Sequence, residues 1–114
     1  VTTNLFGDIL SDEAAMLVGG LGVAPSGNIG EKTGIFEPTH GSAPKYEGKN
    51  IVNPTAAILS SAMMLDYLGD NEKADMIRQA IHLVLEKKYH TKDMGGTLGT
   101  KEFTQKIVEE IKNN

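Results

Sequence analysis

Residues 36–54 of the chain read FEPTHGSAPKYEGKNIVNP, and the elements on either side are arranged around this stretch. It begins as the apolar end of a strand, continues through a loop dense in glycine and proline, and ends where a helix begins. Gly41 and Gly48 permit backbone angles that other residues avoid, while Pro44 and Pro54 fix φ and remove hydrogen-bond donors. Because function concentrates on loops that a rigid scaffold carries, we expect this stretch to hold a ligand.

The loop also carries hydrogen-bonding side chains, namely His40, Ser42, Lys45, Tyr46 and Asn53. The sequence around His40 favours a nest of backbone N–H groups that could hold an anion such as a phosphate, and Lys45 could add a positive charge. The commoner alternatives are a structural histidine and a solvated surface lysine. The G-x-G-x-x-G pattern is missing here, so a Rossmann fold does not follow.

Composition excludes several classes of function. The chain has 114 residues and a net charge of -4, which suits one domain or a piece of one and argues against a broad nucleic-acid surface. It contains no cysteine, which excludes disulfides and thiolate metal sites and is compatible with a cytoplasmic protein. No apolar run is long enough to span a membrane. The first residue is Val1, and the opening residues resemble a strand already under way, so we expect the C-terminal part of a longer protein; the alternative is a trimmed, complete domain.

Asp8 and Asp12 lie four residues apart near the start of the first predicted helix, Ile9 to Val18. On a helix they would share one face, and a hard divalent cation such as Mg²⁺ or Mn²⁺ would relieve their repulsion. The alternative is that Asp8 caps the helix and Asp12 is solvated.

Periodicity predicts an α/β chain with about four helices and two short strands. The strands are predicted at residues 1–3 and 34–37, with a turn at residues 4–8 and a bent loop at residues 21–30. The first helix and the helix after Pro54 are predicted to be largely buried. The two later helices show amphipathic stripes, with Asp70 and Thr100 as their caps. So few strands make a weak sheet alone, which again indicates a missing N-terminal part.

Several motifs together resemble one enzyme family. They are residues 4–12 (NLFGDILSD), 19–22 (GGLG) with Pro25-Ser26, 36–44 (FEPTHGSAP) and 53–55 (NPT), and they look like the isocitrate/isopropylmalate dehydrogenase family in order and spacing. The resemblance covers essentially the whole chain. It implies a non-Rossmann, two-domain α/β subunit of a homodimer, without nucleic-acid or membrane partners. Residues 1–20 would end the dimerisation and metal-binding domain, and residues 21–114 would form the C-terminal half of the cofactor-binding domain.

The resemblance also implies an activity, which is the oxidation of a small 2-hydroxy acid with hydride transfer to NAD or NADP, followed by decarboxylation. Asp8 and Asp12 would be two ligands of the divalent ion, with a third Asp supplied across the dimer. The cofactor-binding residues would be Glu37, His40, Gly41, Ser42, Ala43, Lys45, Tyr46 and Asn53, with Asn53 contacting adenine. The family's catalytic Tyr and Lys are expected upstream, so the chain alone is predicted to be inactive.

Cofactor and substrate signals conflict within this resemblance. Lys45-Tyr46 resembles NADP-using isocitrate dehydrogenases, in which both groups bind the 2′-phosphate, whereas NAD-using members typically carry Asp-Ile. The late loop, with Lys92 and Gly96 at the places of a Tyr and an Arg, resembles the NAD-type isopropylmalate and homoisocitrate group. We favour 3-isopropylmalate (leucine biosynthesis) as substrate, then isocitrate, then homoisocitrate. A regulatory nucleotide-binding subunit or a plain structural domain would be the alternative classes.

Overall fold

The computed structural model describes residues 1–17 and 19–113. Over these residues the chain forms four α-helices and one two-stranded antiparallel sheet. The helices are α1 (Asn4–Leu17), α2 (Thr55–Tyr67), α3 (Asn71–Glu86) and α4 (Thr100–Asn113), and the strands are β1 (Pro25–Ile29) and β2 (Gly34–Pro38). No helix among the described residues is long and apolar enough to cross a membrane.

From the β1–β2 sheet to α4, elements that follow one another in the chain also pack against one another. α2 packs against both strands on one side and against α3 on the other, and α3 packs against α4. The core lies between the last two helices and contains Ala80, Ile81, Val84, Phe103 and Ile107. All five belong to the predicted amphipathic stripes, so that prediction is confirmed for them. The predicted stripes consist of Ala74, Ile77, Ala80, Ile81, Val84 and Leu85 in α3 and of Phe103, Ile107, Val108 and Ile111 in α4. Phe103 and Ile107 are almost fully buried, and each side chain contributes roughly 1.5–3 kcal/mol by leaving water.

The N-terminal prediction is wrong in two respects. Val1 to Thr3 form no strand, and the predicted turn at residues 4–8 is the start of α1, where the Gly7 N–H donates to the Thr3 carbonyl at 2.8 Å. The i,i+4 spacing of Leu5 and Ile9 outweighs the β-branched opening, because that spacing places both side chains on one helical face. Val18, the predicted last residue of this helix, lies outside the described residues.

Helix α1 is also much less buried than predicted. Its apolar side chains Leu5, Phe6, Ile9, Leu10, Met16 and Leu17 are exposed, and among its described residues Ala15 is buried. A helix that is apolar on several sides needs partners on several sides. Within residues 1–17 and 19–113, α1 packs mainly beside the short 3-10 turn Leu21–Val23.

The prediction of a bent loop over residues 21–30 is wrong in part, because strand β1 lies within this range. The strand pairs residue by residue with β2, from Pro25 opposite Pro38 to Ile29 opposite Gly34. Its sequence is poor in strand-forming residues, so packing on α2 and pairing with β2 override local propensity. A Cβ at Gly27 would lie 3.2 Å from both Met63 and Phe36, which explains why the smallest residue stands there.

The structure confirms the predicted start of α3 and moves the starts of α2 and α4 by one residue each. The sequence favours Asn53 as the N-cap of α2 and Pro54 as its first residue. The helix instead begins at Thr55 with Pro54 in the cap position, although the Asn53 Oδ1 accepts the Thr55 N–H at 3.0 Å. Asp70 precedes α3, yet its carboxylate bonds Lys73 at 2.5 Å instead of a backbone N–H. Thr100 is the first residue of α4 rather than its cap.

Candidate site: a cavity beside the glycine-rich loop

Three separate segments of the chain line an open cavity of about 740 Å³. They are the 3-10 turn Leu21–Val23, the loop between β2 and α2, and the loop between α3 and α4. A volume of this size lies within the range of pockets that bind small molecules and cofactors. Its walls are formed by Gly22, His40, Gly41, Ala43, Tyr46, Ile51, Val52, Asn53, Lys92 and Asp93.

The cavity brings together five of the eight residues that the sequence predicts to bind a cofactor. These are His40, Gly41, Ala43, Tyr46 and Asn53. The structure thus places parts of residues 40–46 and 51–53 around one space, which is the geometry that a ligand-holding loop requires.

The other three predicted residues lie at or beyond the cavity rim. Ser42 lines a smaller neighbouring cavity of about 400 Å³, which shares Ala43 and Tyr46 with the first. The Lys45 Nζ lies 4.9 Å from the centroid of the Tyr46 ring, so the ammonium group and the phenol occupy the same side of the loop. Glu37 is exposed within β2, opposite Ser26. Of the two alternatives that the sequence leaves open for Glu37, partial burial and an exposed strand-end position, the structure shows the second.

The wall of the cavity includes a strained backbone position. Ala43 has φ 44° and ψ 57°, a left-handed conformation that costs a residue with a Cβ about 1–2 kcal/mol. The turn that follows is closed by hydrogen bonds from the Tyr46 N–H to the Ala43 carbonyl at 2.9 Å and from the Glu47 N–H to the Pro44 carbonyl at 3.1 Å. Strain of this kind clusters at ligand-binding sites, where the surrounding structure enforces it.

His40 presents one ring nitrogen to the protein. Its Nδ1 lies 2.9 Å from the Gly41 carbonyl oxygen. Because a carbonyl only accepts, this contact places the proton on Nδ1 and leaves Nε2 of the neutral ring as an acceptor. Half-buried at the cavity edge, the ring can stack on or hydrogen-bond to a bound ligand.

Asn53 is held by two partners at the inner wall. Its Oδ1 accepts the Thr55 N–H, and its Nδ2 donates to Asp93 Oδ2 at 2.9 Å. The other carboxylate oxygen of Asp93 accepts the Thr91 hydroxyl at 2.6 Å. A Cβ at Gly22 would lie 3.1 Å from Asp93 Oδ2, so the glycine allows the turn to approach this pair closely.

The end of the loop is fixed to the start of α4 through Asn50. Its Oδ1 accepts the Lys101 N–H at 2.8 Å, its Nδ2 donates to Glu102 at 2.9 Å, and its carbonyl accepts the Thr100 N–H at 3.2 Å. The hydrogen bond from Asn50 lowers the pKa of Glu102. The Thr100 hydroxyl adds a bond to the Val52 carbonyl at 2.5 Å.

The cavity also contains four residues that the sequence does not assign to a cofactor site, namely Gly22, Ile51, Val52 and Asp93, whereas Lys92 already enters the comparison of NAD-type and NADP-type loops. Ile51 and Val52 directly precede Asn53, and an apolar pair beside a predicted ligand contact is a usable signal for a ring-binding surface. Asp93 stands in a loop rich in glycine, but it meets Asn53 only through the tertiary fold.

Asp8 and Asp12 lie one turn apart on α1, and both side chains are exposed. Across residues 1–17 and 19–113, no three acidic, histidine or cysteine side chains gather into a cluster that could hold a metal ion. Two carboxylates supply the hard oxygen ligands that Mg²⁺ and Mn²⁺ prefer, but a complete site needs further ligands. The pair fits part of such a site.

A model of the isocitrate/isopropylmalate dehydrogenase family matches residues 1–111. The chain belongs to the isocitrate/isopropylmalate dehydrogenase family. It is 63% identical over 113 residues to the isocitrate/homoisocitrate dehydrogenase of Thermus thermophilus, covering 99% of this chain and 34% of that protein. It is 55% identical over 113 residues to the 3-isopropylmalate dehydrogenase of Methanothermobacter thermautotrophicus, covering 99% of this chain and 34% of that protein.

The fold agrees with this membership. The crystal structure of isocitrate dehydrogenase from Methylococcus capsulatus superposes with a TM-score of 0.90 at 45% identity, covering 95% of this chain and 33% of that one. The predicted family and fold class are therefore confirmed. The chain spans about a third of the length of these relatives, and its division into two domain parts at residue 20 stays a prediction.

Proposed function

We propose that the full-length protein oxidises and decarboxylates a 2-hydroxy acid with hydride transfer to NAD or NADP, and that this chain supplies the adenosine side of the cofactor site. The observation that carries the proposal is the cavity in which five of the eight expected cofactor residues meet, in a chain that belongs to a dehydrogenase family. Apolar Ile51 and Val52 offer a surface for a purine ring, and Asn53 offers a hydrogen-bond donor beside it.

We infer that the site tolerates NADP. Lys45 and Tyr46 lie together at the rim, and Lys92 brings a second ammonium group to the cavity wall. Cations and a phenol are the groups that bind a 2′-phosphate, whereas an acidic residue there would repel it. At Gly96, a side chain would meet the His90 carbonyl oxygen at 2.0 Å, so this position cannot add a further cation. Tolerance of NADP therefore depends on Lys45, Tyr46 and Lys92.

Asp8 and Asp12 are our proposed ligands for Mg²⁺ or Mn²⁺, which would supply Lewis-acid polarisation of the substrate hydroxyl. Their position on α1 leaves both carboxylates open to a substrate and to a partner residue. The exposed apolar face of the same helix supports a homodimer, because a patch of six large apolar side chains rarely stays in water. A subunit interface beside the metal ligands would let the partner complete the site.

The substrate class is a 2-hydroxy acid with a second carboxylate, and 3-isopropylmalate is our first candidate because Glu37-Pro38 resembles the isopropylmalate and homoisocitrate enzymes. Isocitrate and homoisocitrate are the second candidates. They are favoured by the 63% identity to a protein named for both.

Turnover by the full-length protein tests this proposal. We expect Mg²⁺-dependent formation of reduced cofactor with one of the three acids, measured with NAD and NADP separately. Asp8→Asn should lower kcat by at least about 100-fold, since even residues that only orient metal ligands contribute 10–100-fold. Glu13→Gln, an exposed carboxylate on the same helix, is the control and should be neutral. Dinucleotide binding without turnover of any acid would instead indicate a regulatory subunit.

A further inference from the structure

We propose that Asp93 is a positioning residue that fixes the side-chain amide of Asn53 in one orientation, so that Asn53 meets the nucleotide base as a hydrogen-bond donor. This inference rests on the proposed dinucleotide site. It adds to that site a residue 40 positions away from Asn53 in the chain.

The contacts of Asn53 permit a single amide orientation. The oxygen faces the Thr55 N–H at 3.0 Å, and the nitrogen faces Asp93 Oδ2 at 2.9 Å. If the amide flipped, its NH₂ group would oppose a backbone N–H and its oxygen would oppose a carboxylate, and both contacts would become repulsive. The nitrogen uses one hydrogen for Asp93, so its second N–H remains for a ligand in the cavity.

Asp93 is itself anchored, although its residue is exposed. The Thr91 hydroxyl donates to Oδ1 at 2.6 Å, and Thr91 is fully buried. The Thr91 carbonyl accepts the N–H groups of Met94 and Gly96 at 3.1 and 2.9 Å, which closes the loop around it. The carboxylate is therefore held from the protein side, and its position does not depend on a ligand.

Fixing Asn53 before binding has a thermodynamic consequence. A free asparagine side chain must lose rotational freedom when a ligand fixes it, and that loss weakens binding. Here the Thr55 N–H and Asp93 impose the bound orientation in advance. Without Asp93, the Thr55 N–H contact remains as a restraint, but the NH₂ group is held less firmly in the direction of the base.

A double-mutant cycle on the full-length protein tests the assignment. The dissociation constants of NAD and NADP are measured for the wild type, Asn53→Ala, Asp93→Ala and the double variant. Asp93→Ala should weaken binding about tenfold, the effect of losing one charge-assisted hydrogen bond. If Asp93 acts through Asn53, the double variant binds no more weakly than Asn53→Ala. Additive losses would assign Asp93 a contact of its own, and wild-type affinity in Asp93→Ala would remove its role; either result overturns the proposal.

A conservative variant distinguishes positioning from general structural support. In Asp93→Asn the amide oxygen can still accept from Asn53, while its NH₂ group donates to the Thr91 hydroxyl, which can rotate to accept. We expect this variant to recover affinity to within about threefold of the wild type. In Asp93→Ala the KM for the cofactor should rise while the KM for the 2-hydroxy acid stays constant. Equal loss in the Asn and Ala variants would contradict the proposal.

The outcomes separate this inference from the proposed function. A wild-type protein that binds neither dinucleotide refutes the proposed function, and the inference fails with it. A wild-type protein that binds and turns over, but shows additive losses in the cycle, refutes the positioning role alone.

Discussion

Asn50 joins the ligand loop to α4, and its replacement gives a stability change whose size follows from the structure. The residue has φ 54°, a left-handed angle that asparagine tolerates better than alanine does. Its side chain also satisfies the Lys101 N–H, one of the N-terminal donors that a helix leaves without an internal partner. Asn50→Ala removes the side-chain acceptor and places alanine, whose Cβ disfavours this conformation, at a left-handed φ angle.

Two terms contribute to the expected loss in Asn50→Ala. Loss of a side-chain acceptor at a helix start costs about 1 kcal/mol. Holding alanine in the left-handed region costs about 1 kcal/mol more. The sum is about 2 kcal/mol. Asn50→Gly loses the acceptor but avoids the strain, so about 1 kcal/mol is expected.

Thermal unfolding of the full-length protein under identical conditions provides the assay. We expect the melting temperatures to fall in the order wild type, Asn50→Gly, Asn50→Ala. Asn113→Ala, at the exposed end of α4, is the control and should match the wild type. If alanine is tolerated as well as glycine at position 50, the strain argument is refuted. If neither variant is destabilised, the proposed anchoring of the loop to α4 is wrong.

Three further predictions concern the cavity and its anchor. Gly22→Ala should weaken cofactor binding roughly 3–10-fold, because its Cβ would crowd the hydrogen-bonded pair on the cavity wall; calorimetric titration would show this, and unchanged affinity would contradict it. The pKa of Glu102 is lowered mainly by the hydrogen bond from Asn50, so the stability it contributes is present above its ordinary value of 4.5 and is lost as the pH falls through the lower folded-state value. Comparing the acid unfolding of wild type and Glu102→Gln tests the sign, since their stability difference should shrink toward low pH. Replacing Lys45 with Asp and Tyr46 with Ile should lower kcat/KM for NADP roughly 100-fold relative to NAD, and an unchanged ratio would exclude both residues from 2′-phosphate recognition.

The spacing of apolar residues in the sequence predicts the two amphipathic helices α3 and α4 and the core between them. Ala80 and Val84 are four residues apart in α3, and Phe103 and Ile107 are four apart in α4. All four residues belong to the core. Strand β1 was missed because its residues have little strand propensity, and only pairing with β2 and packing on α2 make it a strand. The start of α1 was missed because three β-branched or small polar residues precede it.

The residues of the candidate site fall into two groups, those close together in the sequence and those brought together by the fold. His40, Gly41, Ala43, Tyr46 and Asn53 lie within one short stretch, so sequence alone could group them. Asp93 enters the cavity from a distant loop, and nothing local to that loop indicates the contact with Asn53. Residues that meet only through tertiary structure, such as Asp93 and Asn53, are beyond single-sequence reasoning.

The central claim is that residues 40–53 and Asp93 together bind the adenosine end of a dinucleotide. A crystal structure of the full-length protein with NADP tests this claim most directly. We expect the adenine ring to lie against Ile51 and Val52, with the second N–H of Asn53 donating to it and the ribose near Tyr46. A dinucleotide bound elsewhere, with this cavity filled by the protein's own side chains, would contradict the assignment of the cavity to adenosine.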